Sequence, residues 1–210
     1  MLQLLNTAAA AAAAVTPAAA AATAPSTPSL LRPAKRTYTL AAAAPRHVPA
    51  ITTIYRAQIE DGLGSHEDPL PDSAEMARRL AELEAQGLPA FVALDERRLV
   101  RGFTWASPFR FRAHYRYTVE DSIHIHPSAR RRGVGEVLLR RLVEACADRG
   151  YRQMIAVVGD SRNRASIALH EKLGFQPCAY FPSIGHRRPG EWCDTVMLQR
   201  ALGAEPAPAS

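Results

Sequence analysis

Residues 128–142 read SARRRGVGEVLLRRL. Three consecutive arginines, Arg130, Arg131 and Arg132, stand against Gly133 and Gly135, and a run of helical periodicity follows at once. Just upstream, SIHIH (122–126) alternates as a strand does, so the arginine–glycine turn joins a strand to a helix. At such a junction the first helical amides are unpaired and the helix dipole is positive, which suits an anion. Glycine lets a pyrophosphate approach the backbone without a Cβ in the way. Guanidinium groups add complementary charge. A solvated basic turn ahead of an ordinary helix is the alternative, and Arg-x-x-Gly-x-Gly alone does not separate the two.

Working outward, VGEVLLRRLVEACADRG (134–150) predicts an amphipathic helix with Val137, Leu138, Leu142, Val143 and Cys146 on its buried stripe and Gly150 as its stop. QMIAVVG (153–159) is a continuous apolar run, as in a strand covered on both faces. SIALHEKLG (166–174) predicts a second helix, and CDTVMLQRAL (193–202) a closing strand. Before the turn, TYTLAA (37–42), AFVALD (90–95), LVRGFTWAS (99–107) and EDSIHIH (120–126) read as strands. Val48, Ile51, Ile54, Tyr55 and Ile59 recur at helical spacing, and Asp72 or Ser73 caps another helix that Gly87 ends. The order predicts a mixed α/β (α+β) domain: a mixed central sheet with helices.

Composition narrows the function. The 210 residues carry 26 Lys+Arg against 20 Asp+Glu, a formal charge of +6. Arg32, Lys35 and Arg36 precede any acid, and without those three the balance is 23 against 20. So mild a charge gives no support to nucleic acid as a partner. Cys146, Cys178 and Cys193 form no CxxC pair and complete no zinc pattern with the histidines, so no metal is expected. Residues 1–34 are rich in Ala, Ser, Thr and Pro and contain no acid. They read as a disordered extension of transit-peptide type, for chloroplast or mitochondrion, or else as a low-complexity tail of a cytoplasmic protein. Pro17, Pro25 and Pro28 and the weak hydrophobicity of alanine argue against a membrane span. The folded domain is expected over 35–203, with 204–210 a disordered tail.

Read together, RRRGVGEVLLRRLVEACADRGYRQMIAVVGDSRNRASIALHEKLGF (130–175) resembles the acetyl-CoA-binding core of the Gcn5-related N-acetyltransferase (GNAT) superfamily. SPFRFRAHYRYTVEDSIHIHP (107–127), AVVGDSRNRASIALHEKLGF (156–175) and GEWCDTVMLQ (190–199) are similar to the phosphinothricin/methionine sulfoximine acetyltransferase family, from about Leu40 to Leu202. The resemblance implies the GNAT fold, with helices on both faces of the sheet. It also implies acetyl-CoA as co-substrate, a small amine acceptor of the amino-acid type, and a homodimer. In the resembling family the glutamate at the position of Glu120 is the base, and the position of His170 lies near the cofactor sulfur as an acid. Asn163 matches a cofactor-contacting asparagine.

The residues support this chemistry independently. Acetyl transfer needs a base to deprotonate an ammonium group, a polarised carbonyl and a protonated leaving thiolate. Glu120 is the candidate base, with a capping or salt-bridged carboxylate as the alternative, while Asp121 points to the opposite strand face. His170 is either an acid or a satisfied helix histidine, and Asn163 either touches the cofactor or caps a helix. The backbone of Ile123, His124 and Ile125 offers an open strand edge to a pantetheine arm. Arg130, Arg131, Arg132, Gly133, Val134, Gly135 and Glu136 form the expected phosphate cradle. Arg112, Arg116 and Tyr117 are candidates for an acceptor carboxylate or phosphinate, or else a solvated basic loop.

Two departures from the family pattern fall on acceptor recognition. The early loop is GLGSHEDP, with Leu63 and His66 where the family carries a phenylalanine, and the closing loop IGHRRPGEW is one residue longer. The rival readings are a protein or peptide N-acetyltransferase of the same superfamily and a non-catalytic acyl-CoA-binding module. A nucleic-acid binder using Arg130–Arg132 with Arg187 and Arg188 is a third.

Overall fold

The computed structural model describes residues 37–62, 67–188 and 190–203. The expected extension 1–34, the loop residues Leu63 and His66, the side chains of Arg187 and Arg188 and the tail 204–210 lie outside the described residues. In chain order the elements are β1 (Thr39–Ala42), α1 (Val48–Glu60), α2 (Ser73–Ala85), β2 (Ala90–Leu94), β3 (Val100–Pro108), β4 (Thr118–Ile125) and α3 (Val134–Asp148). Then follow β5 (Gln153–Val158), α4 (Arg164–Lys172), β6 (Gln176–Arg188) and β7 (Glu191–Ala201).

The strands make one mixed sheet in the order β1-β2-β3-β4-β5-β7-β6. Every neighbouring pair is antiparallel except β4 and β5, which run parallel. Side chains alternate across a strand, and the contacts of β4 show which helices cover which face. His124 meets Gln58 of α1, whereas Asp121, of opposite parity, meets His170 of α4. Ile125 shares the Asp121 face, and a Cβ on Gly102 beside it would strike Leu138 of α3 at 3.1 Å. So α3 and α4 cover one face and α1 the other. Ser73 at the start of α2 bonds Thr52 of α1 and places α2 beside it.

Each helix buries its apolar stripe. Ile51, Ile54 and Tyr55 of α1, Met76 and Leu80 of α2, and Leu139 and Leu142 of α3 share one core with Val92, Phe103, Val119, Met154 and Leu198 of the sheet, while Leu138 of α3 packs with Ala93, Ala129 and Val134. Burial of one such side chain contributes about 1.5–3 kcal/mol. The ends are marked by local chemistry: Asp72 caps α2 through the Glu75 amide at 2.8 Å, and Gly150 follows α3 in the left-handed region at φ +81°.

Three sequence expectations are corrected. Val137 is 39% exposed, and Leu139 takes its place on the α3 stripe, because the buried face runs through 138, 139, 142, 143 and 146. Strand β4 begins two residues earlier than its apolar alternation suggests. Strand β6 is not anticipated by the sequence reading, since Pro177, Pro182 and Gly185 interrupt QPCAYFPSIGHRR. It is an edge strand, and its register against β7 shifts between Pro177 and Ala179 and again between Phe181 and Gly185. Proline is tolerated at edges and bulges, where no ladder bond is lost.

Candidate active site

Parallel pairing of β4 with β5 runs from Thr118↔Gln153 to Asp121↔Ala156 and then stops, although β4 continues to Ile125 and β5 to Val158. The two strands separate there, which leaves the β5 side of 122–125 without a strand partner. A cavity of about 310 Å³ opens at this point. Its wall comes from Tyr55 and Gln58 of α1, residues 120–124 of β4, Ala156, Val157 and Gly159 around the end of β5, and Asn163, Ser166 and His170 at α4. That volume is in the range of small-ligand sites.

Glu120 is in the wall, and among the described residues its carboxyl has no hydrogen-bond or ion-pair partner. Burial, followed by the negative charge of Asp121, pushes its pKa from 4.5 up to about 7. A carboxylate of that strength is half ionised near neutrality, which is what a general base requires.

His170 is 2% exposed and fully engaged. Its Nδ1 lies 2.8 Å from the Ser166 carbonyl oxygen and its Nε2 lies 3.1 Å from Asp121 Oδ2. Burial opposes the charged ring, but the charge and hydrogen bond of Asp121 outweigh it and raise the pKa. Asn163 is the N-cap of α4, its side-chain oxygen accepting from the Ser166 amide at 3.1 Å, and it faces the cavity as well. The capping and site readings of Asn163 are therefore compatible.

The sequence reading gives His124 a backbone role alone, yet its side chain is the more informative part. Gln58 Nε2 donates to the Ile125 carbonyl at 3.2 Å, and this orients the amide so that Oε1 faces His124 Nδ1 at 2.8 Å. The Nδ1 therefore carries the proton. Burial drives the ring pKa down to about 3, so the imidazole is neutral and Nε2 is a free acceptor. Among the described residues no group bonds Nε2, and it is not among the sealed, unpartnered atoms, so it opens on the cavity that His124 lines. Phe103 stacks on this ring with centroids 4.9 Å apart, and Tyr55 tilts against it at 4.7 Å. No sequence spacing could reveal this, because the partner that sets the tautomer is 66 positions away.

At the far end of β4, Arg130, Arg131 and Arg132 are exposed ahead of α3. Arg130 is paired with Asp61 at 2.5 Å, while Arg131 and Arg132 have no acidic partner among the described residues. Gly133 caps α3 at φ +87° with nothing within 4 Å of where a Cβ would stand, and no side chain caps the helix. A Cβ on Gly135 would approach Leu169 of α4 to 2.9 Å, so that glycine serves helix packing. Val134 is buried under the cradle, and Glu136 is engaged by Lys172 at 2.5 Å and by Arg140. Unpaired amides, a bare Gly133 and two unpaired guanidinium groups suit the phosphates of a coenzyme A thioester.

The structure does not bring Arg112, Arg116 and Tyr117 to the cavity wall. They lie on the exposed stretch between β3 and β4, where the Arg116 guanidinium stacks 4.6 Å over the Tyr117 ring and donates to the Ala113 carbonyl. Among the described residues no group of three His, Cys, Asp or Glu could hold a metal ion. Cys146 is buried, and burial pushes its thiol up to about 12, away from thiolate chemistry. A second cavity, of about 340 Å³, is lined by Asp95 and Arg101 away from Glu120. There Asp95 is occupied in closing its own turn, accepting from the Arg97 and Leu99 amides and from Arg101.

The profile of the acetyltransferase (GNAT) family matches residues 51–175. The chain is 43% identical over 157 residues to a phosphinothricin N-acetyltransferase of Alcaligenes faecalis, an alignment spanning 75% of this chain and 79% of that protein. It is 35% identical over 162 residues to an L-methionine sulfoximine/L-methionine sulfone acetyltransferase of Salmonella typhimurium, covering 76% and 91%. Among solved structures, a GNAT superfamily phosphinothricin acetyltransferase from Sinorhizobium meliloti in complex with AcCoA superposes with a TM-score of 0.77 at 43% identity. That match covers 82% of this chain and 94% of the other.

Proposed function

The chain belongs to the acetyltransferase (GNAT) family and is an acetyl-CoA-dependent N-acetyltransferase, and from that premise we propose direct transfer with Glu120 as the general base. The acceptor is the amino group of a small amino acid or analogue, the class named for its relatives. The observation that carries the mechanism is Glu120 itself: an unpaired carboxyl on the cavity wall with a pKa near 7.

Acetyl-CoA supplies an activated acetyl thioester. Arg131, Arg132 and the amides opening α3 bind its phosphates, and the unpaired edge of Ile123, His124 and Ile125 receives its amide-bearing arm. Glu120 takes a proton from the incoming ammonium group, directly or through water. The neutral amine attacks the thioester carbon, and the C–S bond breaks as the amide forms. Glu120 passes its proton to the departing thiolate, and the surplus proton of the attacking nitrogen is released to solvent. His124 Nε2, fixed as an acceptor, receives a hydrogen bond from a donor in the cavity. The splay after Asp121 keeps the reacting groups between two walls of protein.

The test is a pH profile. The rate of thiol release at limiting acceptor is expected to rise with pH through an ionisation near 7, since Glu120 acts only as carboxylate. A flat profile between pH 6 and 8 removes Glu120 from this role.

Among the described residues no arginine or lysine lines the cavity to meet the acid group of an acceptor, because Arg112 and Arg116 lie off it. A homodimer supports its completion: Tyr180, Ile184 and Trp192 of the β6–β7 hairpin are 58%, 60% and 59% exposed, and Phe111 is 94% exposed. Light scattering is expected to give twice the chain mass, and a monomer at micromolar concentration contradicts this. No helix among the described residues is long and apolar enough to cross a membrane. The acid-free leader, residues 1–34, supports delivery to a chloroplast or mitochondrion.

A further inference from the structure

Asp121 is the one described residue whose buried side chain leaves an atom unsatisfied: Oδ2 meets His170, while Oδ1 is sealed from solvent without a partner. An orphaned acceptor in the interior is destabilising, so a carboxylate kept for stability alone should have both oxygens bonded. Its side chain is 2% exposed and that of His170 is 3% exposed, directly beneath the cavity wall that both residues help to form.

The geometry also fixes the protons. A carbonyl oxygen only accepts, so the 2.8 Å contact to the Ser166 carbonyl requires hydrogen on His170 Nδ1. Asp121 Oδ2 lies 3.1 Å from Nε2, and the negative charge of Asp121, which raises the pKa of His170, holds the shared proton on the ring. Both nitrogens therefore carry hydrogen, both hydrogens are donated inward, and neither a lone pair nor a free proton of the ring faces the cavity.

We propose that Asp121 is a positioning residue for the acetyl transfer, which locks His170 as a permanent imidazolium in the cavity wall and leaves all proton movement to Glu120. This rests on the acetyl-transfer reading above and changes the part His170 plays in it: a fixed cation, not an acid that gives up and regains a proton in each turnover. The ring edge of Phe175, with centroids 5.0 Å apart, closes the remaining side of His170. The ionisable groups acting on the pair are Glu120 on the same strand and Cys146 from α3, while α4 contributes the Ser166 carbonyl and, at 3.4 Å from Nδ1, the Ser166 hydroxyl. Burial opposes the imidazolium, but the charge of Asp121 and its hydrogen bond outweigh that cost, in agreement with the raised pKa of His170.

The test combines spectroscopy of the free protein with kinetics. Nitrogen-15 spectra of the ring should show His170 doubly protonated from pH 6 to 8. In Asp121→Asn the amide can donate to Nε2, so His170 should become neutral over the same range. That variant is expected to lose about tenfold or more in kcat, with the KM for acetyl-CoA changed less than threefold, and its pH profile should gain a second ionisation. His170→Gln removes the ring charge and should lose kcat to a similar extent, without the added ionisation. A neutral His170 in the unmodified protein overturns the proposal. So does an Asp121→Asn variant with unaltered kcat and pH profile, even if its melting temperature falls. Absence of turnover in the unmodified protein would instead strike at the acetyl-transfer reading, and the spectra would still judge the pair.

Discussion

Glu120→Gln is expected to bind acetyl-CoA as the unmodified protein does and to transfer its acetyl group about 10²–10⁴-fold more slowly. The amide has nearly the shape of the carboxyl and cannot take a proton, and no protein group depends on the carboxyl, which has no partner among the described residues. The same substitution should stabilise the fold, and the sign follows from linkage. The folded protein holds the Glu120 proton up to about pH 7, whereas the unfolded chain releases it near 4.5. The native state thus binds more protons across that window, and its stability falls as pH rises through it. Glu120→Gln escapes this penalty: its melting temperature should match that of the unmodified protein at pH 4 and exceed it at pH 8. Because Glu120 is partly solvated, the gain is on the order of 1–2 kcal/mol, or about 2–6 °C. Calorimetry at the two pH values together with titration of acetyl-CoA checks both halves. Normal turnover in this variant would falsify the assignment of the base.

The second large effect concerns the cradle. Arg131→Ala combined with Arg132→Ala should weaken acetyl-CoA binding by about 10–100-fold at low salt, since each removes a charge-assisted phosphate contact. The salt dependence of the remaining affinity should become shallower, because fewer ion pairs are left to screen. Arg130→Ala should cost less, as that guanidinium is already engaged with Asp61 at 2.5 Å. Calorimetric titration at two salt concentrations distinguishes the three arginines. Equal losses for all of them would mean that the Asp61 pair opens when ligand binds. Unchanged affinity in the double variant would return the turn to the solvated basic loop that is its alternative reading.

What can be read from the sequence is what local chemistry dictates. The arginine–glycine turn, the periodicity of α3 and the glutamate at the start of EDSIHIH are contained within short stretches, and the structure puts the turn directly ahead of the helix and the glutamate on the cavity wall. Strand β6 is hidden because its prolines are compatible with a strand only at an edge, and edge position is a property of the whole sheet. Asp121 falls on the face opposite Glu120, as strand alternation predicts, but its importance depends on α4 delivering His170 to that face from 49 positions away. The tautomer of His124 likewise needs Gln58 from α1. Arg112 and Arg116 stand close to Glu120 in the chain, yet the exposed stretch that carries them does not line the cavity.

The most direct test of the central claim is thiol release from acetyl-CoA by the purified protein against a panel of amino acids that includes methionine sulfoximine and phosphinothricin. One or a few of these acceptors are expected to turn over, with one thiol released for each amide formed and no release without acceptor. Acetyl-CoA bound tightly but no acceptor of the panel acetylated would contradict the small amino-acid acceptor and shift the weight to a peptide amine.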